Sequence, residues 1–512
     1  MNFGLTGQRL VKKLTSVACV LLLFASWLSS GHRADAQDQS QPPRQSPRSL
    51  RDAIGRKNLP SQLERIIPQL MKEGDVPGLS IALIRDAKVV WHKGFGVKNA
   101  NTKEPVDDVT VFEAASLSKP VFTFAVLKLV DSGKLELDKP LAAYLPDAYL
   151  QNDERIKMIT ARMVLDHTTG FQNEAGPGRP LKIHFTPGEK FSYSGEGFVY
   201  LQKVVERITG EPLETFMEKA VFVPLGMTSS SFVWRERFET LKANGHKGSG
   251  AVVPKRKPTI ARSYSGLHTT TLDYARFVIA VLNATAVKKE TIEQMETAQV
   301  RLDESCFSCI ERSSGRLSQT LSWGLGWGLE RTETGNAIWH WGDNNGEFQS
   351  FVLAYPKEKT GVVIFTNSGN GLSIIPEIVT QITGRPHAAF AWMRYEPYNS
   401  PAKILFRDIL ARGGAAISQY RASHEQRGVL NEDLMNKLGY WLLGKNRVKE
   451  AIEVFKMNVE DFPDSSNAYD SLAEAYMING DKDLSIRNYQ RSLELNPNNT
   501  NAVEMLKKLK GQ

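Results

Sequence analysis

Cysteine is scarce in this chain, and the signature motifs of several enzyme classes are missing. Three cysteines in 512 residues exclude a small protein held together by a disulfide framework. The sequence has no Walker A motif, no GxGxxG that follows a strand and no HExxH. It therefore gives no basis for a nucleotide, a cofactor or a catalytic metal. The net charge of +8 is small for this length, and we do not expect nucleic-acid binding.

Residues 1–36 are predicted to be a signal peptide. Arg9, Lys12 and Lys13 precede an apolar run from Leu14 to Leu28, and the small-x-small pattern of a signal-peptidase site follows at residues 34–36. A retained membrane anchor is the alternative, but the run is shorter than the ~20 residues that a membrane span needs. We therefore expect an exported bacterial protein, periplasmic or secreted, with no membrane segment once the signal is removed.

After the signal peptide only Cys306 and Cys309 remain, in a CxxC pattern. In an exported protein such a pair forms a local disulfide, or it belongs to a redox or metal motif. No second CxxC and no nearby histidine completes a zinc site, so we expect no metal. A structural loop or disulfide is the favoured interpretation.

Composition divides the remaining chain into four segments. Residues 37–60 are rich in Gln, Ser, Pro and Arg and are predicted to be a flexible leader. Residues 61–385 have the composition of a packed domain, residues 386–430 lack clear strands and are predicted to be a linker with some helix, and residues 431–512 are helical. A chain of this length has room for one large unit and a smaller module.

Two β-hairpins frame the large segment. The first is predicted at residues 79–84 and 89–91, and the second at residues 351–355 and 362–366, each with a polar turn between its apolar runs. Between the hairpins the periodicity is mainly helical. The predicted fold class is therefore α+β, with an antiparallel sheet that is completed by both ends of the domain, flanking helices and a helical insertion.

The C-terminal segment contains an internal repeat. Ala451, Phe455, Asn458 and Pro463 recur 34 residues later as Ser485, Tyr489, Ser492 and Pro497. This offset resembles the tetratricopeptide repeat, and a generic helical hairpin is the alternative. We expect two helix pairs and a capping helix from about Asn501. The function expected for residues 431–512 is contact with a protein partner or packing on the main domain.

Ser116 and Lys119 form a Ser-x-x-Lys pattern between an extended segment and an apolar helix. The pattern predicts that Ser116 lies at a helix N-terminus, where free N–H groups favour negative charge. Lys119 shares the helix face of Ser116. A buried lysine loses its proton more readily, so it can accept the serine proton. An N-capping serine beside a solvated lysine explains the four residues equally well.

Tyr193, His340 and Asp343 are further candidates at wide spacing. A tyrosine near a lysine ammonium can lose its proton more easily and act as a general base and acid; a hydrogen-bonded core tyrosine is the alternative. His340 ends a predicted strand at residues 336–339. The N–H of Asp343 at this strand edge could join that of Ser116 to bind an oxyanion. The alternative for His340 is a hydrogen-bonded histidine on an edge strand without a catalytic role.

Taken in order, Ser116-x-x-Lys119, Tyr193-x-Gly195 and His340-x-Gly342 resemble the motifs of serine hydrolases of the class C β-lactamase type, which include penicillin-binding carboxypeptidases and esterases. Further segments that look like this family are residues 165–170 (LDHTTG), 185–188 (FTPG), 224–227 (PLGM) and 324–328 (GLGWG). The resemblance covers about residues 61–385.

The resemblance implies a covalent acyl-enzyme at Ser116, with the proton transfers shared by Lys119 and Tyr193. It implies an oxyanion hole formed by the backbone N–H groups of Ser116 and Asp343. It also implies substrate-binding roles for Gly195, His340 and Gly342.

Two positions depart from the pattern of the β-lactamases in this family, which usually have Asn where Gly195 stands and often Lys where His340 stands. A histidine with an ordinary pKa of ~6.5 is mostly neutral at pH 7 and binds an anion weakly. We therefore expect an exported serine hydrolase that cleaves an ester or amide bond of a small molecule or peptide without a cofactor. A β-lactamase or D-Ala-D-Ala carboxypeptidase is the first alternative, and a catalytically idle binding protein that works through residues 431–512 is the second.

Overall fold

The computed structural model describes residues 49–145, 149–310, 314–423 and 429–511. The predicted signal peptide and residues 37–48 of the predicted leader lie outside the described residues. Helices α1 (Leu50–Ile54) and α2 (Leu59–Gly74) begin the described chain. The prediction of a flexible leader up to residue 60 is wrong for this part, because Leu50, Ala53 and Ile54 are buried in the core. The few apolar residues there have helical spacing, and their burial orders the segment.

The predicted first hairpin is present as strands β1 (Gly78–Arg85) and β2 (Lys88–Gly96), which pair antiparallel. Asp86 and Ala87 adopt positive φ in the turn between them. β1 is buried along nearly its whole length, because it lies in the interior of the sheet with packed layers on both faces.

A helical insertion follows the first hairpin. Its elements are β3 (Phe112–Glu113), a 3₁₀ turn (Ala115–Leu117), α3 (Ser118–Asp131), α4 (Ala161–Leu165), α5 (Glu196–Thr209), α6 (Leu213–Met217), α7 (Val223–Leu225), α8 (Phe238–Leu241), β4 (Gly245–His246), β5 (Val252–Val253), β6 (His268–Thr269), α9 (Thr271–Leu282) and α10 (Lys289–Met295). α3 is apolar around most of its circumference and is almost fully buried. It therefore forms the central helix of the insertion.

The chain then returns to the sheet through β7 (Val300–Asp303), β8 (Leu317–Trp323), β9 (Gly328–Thr332), β10 (Gly335–Asn344), β11 (Phe348–Tyr355) and β12 (Thr360–Thr366), and α11 (Gly371–Thr383) follows. The eight-stranded sheet has the order β2-β1-β12-β11-β10-β9-β8-β7, and every pairing is antiparallel. β1 from the start of the domain pairs with β12 from its end. The α+β class, the second hairpin and closure by both ends are therefore confirmed.

Alternate residues of the central strands face two separate cores, as the period of a strand requires. One core lies between the sheet and the insertion and takes Ala82, Ile84, Val352, Ala354, Val363 and Phe365 from the strands. The other lies between the sheet and helices α1, α2 and α11 and takes Leu79, Ile81, Leu83, Phe351, Leu353, Val362 and Ile364.

Residues 386–430 contain α12 (Ala388–Met393), α13 (Pro401–Arg412) and α14 (Gly414–Ala422). The absence of strands in the described part of this segment matches expectation, but its interpretation as a linker is wrong. Ala389, Trp392 and Met393 are buried in the core that contains α11, whereas apolar residues of α13 and α14 share a core with the helices that follow. Burial on both sides fixes this segment in place.

The C-terminal helices are α15 (Glu432–Gly444), α16 (Val448–Asp461), α17 (Ser466–Asn479), α18 (Lys482–Leu495) and α19 (Thr500–Lys510). They form the two expected helix pairs and the expected final helix. The repeat module also contacts the main domain, because Lys445 pairs with Asp75 at 2.5 Å. No helix among the described residues is both long and apolar enough to traverse a bilayer.

Candidate active site

Ser116 lies in the 3₁₀ turn that leads directly into α3, at the helix N-terminus that the sequence predicts. The preceding residue, Ala115, has a φ of 50°, a backbone conformation that costs a non-glycine residue about 1–3 kcal/mol. The turn is held in place by Ser118, whose hydroxyl donates to the carbonyl of Ala115 at 2.6 Å and accepts the N–H of Leu267 at 3.0 Å. This strained turn leaves Ser116 partly exposed among buried neighbours.

Lys119 is 1% exposed, and its amine donates to the Ser116 hydroxyl at 3.1 Å and to the Tyr264 carbonyl at 3.0 Å. Burial lowers the pKa of Lys119 from 10.5 to about 7, and the charge of Glu174 opposes this in part. A large fraction of Lys119 is therefore neutral near pH 7. A neutral amine at this distance can accept the proton of the serine hydroxyl.

Tyr193 also lies at this centre, with the Lys119 amine 4.6 Å from the centroid of its ring. The expectation that the lysine makes Tyr193 more acidic is wrong. Burial raises the pKa of Tyr193 above its ordinary value of 10, and the nearby Ser116 hydroxyl offsets only part of the rise. Removal of water destabilises the charged phenolate relative to the neutral phenol. Tyr193 is therefore protonated near pH 7, as a proton donor must be.

Two buried histidines adjoin Tyr193. His340 is fully buried, and burial lowers its pKa to about 3, with the charge of Lys119 adding to the effect. Its Nδ1 lies 2.8 Å from the Trp341 carbonyl, so the proton is on Nδ1. His167 stacks on the Tyr193 ring at 4.3 Å between centroids. Its Nδ1 accepts the N–H of Ser194 at 3.0 Å, and burial lowers its pKa well below the ordinary value.

A neutral, fully buried imidazole offers no cationic group at the surface of the site, which agrees with the expectation that His340 binds an anion weakly. The substrate-binding role of His340 stays a prediction. Among the described residues, the Nε2 atoms of His340 and His167 and the hydroxyl of Tyr193 have no hydrogen-bond partner. Unpaired buried polar groups are uncommon in folded proteins and occur often at functional sites.

Gly342 and Asp343 belong to the part of β10 that lies beside the serine turn. β9 pairs with β10 only as far as Trp339, so one edge of the later part of β10 has no strand partner among the described residues. A Cβ atom at Gly342 would lie 2.4 Å from the Ala114 carbonyl oxygen. Glycine therefore allows the serine turn to approach this strand edge. The arrangement is compatible with an oxyanion hole formed by the N–H groups of Ser116 and Asp343.

A buried ion pair fixes the other side of the serine turn. Glu113 in β3 accepts from Lys242 at 2.6 Å, and both side chains are almost fully buried. Burial is the largest influence on Glu113 and would raise its pKa, but the charges of Lys242 and other nearby groups and the hydrogen bond from Lys242 together outweigh it, so the pKa is lowered. The amide of Asn344 also donates to Glu113. This contact joins the end of β10 to the strand that precedes Ser116.

Gly195 lies at the N-terminus of α5, where a side chain would not fit. A Cβ atom there would lie 2.8 Å from the Asn173 carbonyl oxygen and 3.0 Å from the ring of Tyr264. The N–H of Gly195 donates to both the carbonyl and the side chain of Asn173 at 3.0 Å. Asn173 and Tyr264 therefore occupy the space beside Gly195.

Cys306 and Cys309 form a disulfide, and the loop that they close adjoins the site. The carbonyl of Phe307 accepts the N–H of Tyr193 at 2.8 Å. Within the described ranges, Asp303 is the only carboxylate near enough to the two sulfurs to make a metal-binding group with them. Sulfurs joined in a disulfide are not thiolate ligands. The structural interpretation of the CxxC pattern therefore fits best.

A cavity of about 820 Å³ adjoins this centre. Asn173, Glu174 and Phe307 are in its wall, together with Trp392 from α12 and Arg394 just after that helix. Ser116, Lys119 and Tyr193 do not line the cavity, but Asn173 and Phe307 do, and these two accept hydrogen bonds from the backbone N–H groups of Gly195 and Tyr193. The cavity is therefore separated from the candidate catalytic groups by these neighbours. Its size is that of a pocket for a small molecule or a short peptide segment.

The structure brings Ser116, Lys119 and Tyr193 together and places Gly342 against the serine turn. Sequence reasoning did not identify several residues of the site, which are His167, Asn173, Tyr264 and Phe307. His167 lies in the LDHTTG segment, which gave a signal for the family but no role. Phe307 lies within the CxxC pattern, which was interpreted as a structural loop or disulfide, and Asn173 and Tyr264 carry no local motif.

Two family models match the sequence. The Beta-lactamase model matches residues 63–374, and the Tetratricopeptide repeat model matches residues 466–499. Protein flp of Staphylococcus aureus strain N315 is 23% identical over an alignment of 367 residues, and the match covers 67% of this chain and 68% of that protein. Penicillin-binding protein 4 of Amycolatopsis lactamdurans is 25% identical over an alignment of 342 residues, and the match covers 62% of this chain and 87% of that protein.

Solved structures show the same fold. The octameric penicillin-binding protein homologue from Pyrococcus abyssi superposes with a TM-score of 0.53 at 24% identity and covers 69% of this chain and 81% of its own. D-alanine carboxypeptidase AmpC from Burkholderia cenocepacia superposes with a TM-score of 0.54 at 20% identity and covers 64% of this chain and 99% of its own.

Proposed function

The chain belongs to the beta-lactamase family and carries a C-terminal tetratricopeptide repeat, and we propose that it is an exported serine hydrolase that cleaves an ester or amide bond through an acyl-enzyme at Ser116. The observation that carries the proposal is the contact of 3.1 Å between the Lys119 amine and the Ser116 hydroxyl. The lysine is buried and has a pKa of about 7. A solvated lysine beside an N-capping serine would be exposed to water and would keep an ordinary pKa.

In the acylation step, the Ser116 oxygen forms a bond to the substrate carbonyl carbon while its proton passes to the neutral amine of Lys119. The carbonyl oxygen becomes an oxyanion, which accepts hydrogen bonds from the backbone N–H groups of Ser116 and Asp343. The bond from the carbonyl carbon to the leaving group then breaks. Tyr193, protonated and beside Lys119, is suited to pass a proton to the leaving oxygen or nitrogen and to regain one from the lysine.

In the deacylation step, water attacks the Ser116 ester. Lys119 accepts a proton from the water, the serine oxygen leaves and is protonated again, and the acid product departs. Both steps need Lys119 in its neutral form at the start. The same residues therefore serve both half-reactions.

A β-lactamase or D-Ala-D-Ala carboxypeptidase is the second candidate. It is favoured by the similarity to Penicillin-binding protein 4 and by the fold shared with a D-alanine carboxypeptidase. The neutral, buried His340 gives no support for binding the carboxylate of such substrates. Initial rates with p-nitrophenyl acetate, nitrocefin and a peptide ending in D-Ala-D-Ala separate the two candidates.

The test of the nucleophile uses Ser116→Ala and a matched control. Ser132→Ala removes a hydroxyl at the C-terminal end of α3, where the Ser132 side chain donates to the Leu129 carbonyl and to no other described residue. We expect Ser116→Ala to abolish hydrolysis of every substrate that the wild-type protein cleaves and Ser132→Ala to retain it. Hydrolysis by Ser116→Ala at the wild-type rate would refute the assignment. A wild-type protein inactive on the whole panel would favour the idle binding protein.

Export and a protein partner are further parts of the proposal. A disulfide between Cys306 and Cys309 is typical of proteins that fold in an oxidising compartment, and residues 1–36 have the pattern of a signal peptide. N-terminal sequencing of the protein purified from a periplasmic or culture fraction tests this. The tetratricopeptide repeat supports a protein partner for residues 431–512.

A further inference from the structure

A tyrosine from outside the part of the chain that the Beta-lactamase model matches reaches the candidate oxyanion strand. Tyr395 lies beyond residue 374, where that match ends. Its hydroxyl donates a hydrogen bond of 2.9 Å to Oδ2 of Asp343. Burial and the charge of Asp343 raise the pKa of Tyr395. The phenol is therefore protonated and acts as the donor to the carboxylate.

The segment that carries Tyr395 is fixed on both sides of it. Trp392 is 5% exposed, and its indole N–H donates to the Asp303 carbonyl at 2.9 Å. Its ring lies 5.9 Å from that of Trp341. On the other side, the N–H of Tyr398 donates to the Ser373 carbonyl at 3.1 Å. Tyr395 is therefore delivered to Asp343 by a packed segment, and the hydrogen bond needs little further ordering of the chain.

The carboxylate of Asp343 receives three hydrogen bonds, each of 2.9 Å. Gln349 and Tyr395 donate to Oδ2, and the N–H of Gly346 donates to Oδ1. Gln349 faces Asp343 across the β10–β11 ladder, and Gly346 is in the turn that joins those strands. The donors from Gln349 and Gly346 thus come from the same hairpin as Asp343. Tyr395 is the only one of the three from another part of the structure, so it ties the Asp343 carboxylate to the domain, next to the contact of Asn344 with Glu113.

We propose that Tyr395 is a positioning residue for the oxyanion hole, which it holds in register with Ser116 through the carboxylate of Asp343. The inference rests on the proposed function, in which the Asp343 N–H binds the oxyanion. Hydrogen bonds to an oxyanion act mainly in the transition state and need correct placement of the donor. Loss of the Tyr395 contact therefore lowers kcat and leaves KM almost unchanged.

The experiment compares Tyr395→Phe with Tyr398→Phe in the full chain. Tyr398 is in the same segment. Its backbone carbonyl accepts from Arg407, but its hydroxyl makes no hydrogen bond to any described residue. With p-nitrophenyl acetate we expect kcat of Tyr395→Phe to fall about tenfold, a fraction of the 100- to 1,000-fold that loss of a whole oxyanion donor costs. KM should stay within about twofold, and Tyr398→Phe should match the wild type.

A double-mutant cycle with Asp343→Asn shows whether Tyr395 acts through Asp343. We expect the double variant to be no slower than the slower single variant, because both changes weaken one contact. Equal kcat for Tyr395→Phe and Tyr398→Phe, or effects that multiply in the double variant, would overturn the inference. Circular dichroism shows whether Tyr395→Phe folds. If it does not, Asp343→Asn alone must show a lower kcat at unchanged KM. A normal kcat of Asp343→Asn would then overturn the inference.

The two levels of the proposal fail differently. A wild-type protein that hydrolyses no ester contradicts the proposed function and, with it, the role of Tyr395. A wild-type protein whose ester hydrolysis depends on Ser116 but not on Tyr395 contradicts only the positioning role.

Discussion

Replacement of Lys119 by methionine is expected to abolish turnover and to stabilise the fold. The pKa of Lys119 falls from 10.5 to about 7 on burial, which corresponds to about 5 kcal/mol at about 1.4 kcal/mol per pKa unit. In the unfolded chain the lysine keeps its ordinary pKa of 10.5, so between pH 7 and pH 10.5 the unfolded protein binds more protons than the folded protein. As the pH is lowered from about 10.5 to about 7, the contribution of Lys119 to the free energy of unfolding therefore decreases, and below about pH 7 it stays constant.

Lys119→Met removes this penalty. The change also leaves the Tyr264 carbonyl without its donor, which costs about 1–3 kcal/mol. The net expectation is a gain of about 2–4 kcal/mol in the free energy of unfolding at pH 7, measured by urea denaturation. Loss of the proton acceptor should lower kcat by about 100- to 10,000-fold.

Lys128→Met is the matched control for this prediction. Lys128 is on the same helix, is partly exposed and donates to the Ala220 carbonyl at 2.6 Å. We expect this variant to keep its activity and to gain no stability. If Lys119→Met retained turnover within tenfold of the wild type, or were less stable than Lys128→Met, the assignment of a dehydrated catalytic lysine would be refuted.

Two further predictions concern the same centre. Since only neutral Lys119 accepts the serine proton, kcat/KM should rise tenfold per pH unit below about 7 and level off above it. Glu174→Gln should move this midpoint to lower pH, because the charge of Glu174 raises the pKa of Lys119; a pH–rate profile with a midpoint near 10 would contradict the buried amine. Gly195→Asn should lower activity and cost about 1–3 kcal/mol of stability, because its Cβ would lie 2.8 Å from the Asn173 carbonyl. Gly414→Asn, at the start of α14 with open space around it and no positive φ, should be tolerated, and equal behaviour of the two variants would contradict the packing at Gly195.

The fold was largely predictable from local patterns. Each hairpin is visible in the sequence as two apolar runs of strand length with a polar turn between them. The repeat is visible as a fixed offset in the sequence, for example between Phe455 and Tyr489. Ser116 and Lys119 could be paired because residues three apart share a helix face. In each case the signal lies within a short stretch of sequence, where secondary structure alone sets the geometry.

The electrostatics of the site could not be predicted in the same way. The direction of the pKa shift of Tyr193 depends on how deeply the side chain is buried. Burial is a property of the assembled core and cannot be read from the local sequence. His340 has a pKa of about 3 for the same reason. Tyr395 was missed because it lies in a segment with no motif, and only the packing of Trp392 against the sheet brings it to Asp343.

The most direct test of the account is mass spectrometry of the protein after brief reaction with p-nitrophenyl acetate at pH 7.5 and rapid quenching in acid. The account predicts an added acetyl group on the peptide that contains Ser116 in the wild-type protein, and none on that peptide in Ser116→Ala. An acetyl group found on a different residue during turnover, or wild-type turnover of the ester with Ser116 never modified, would contradict it.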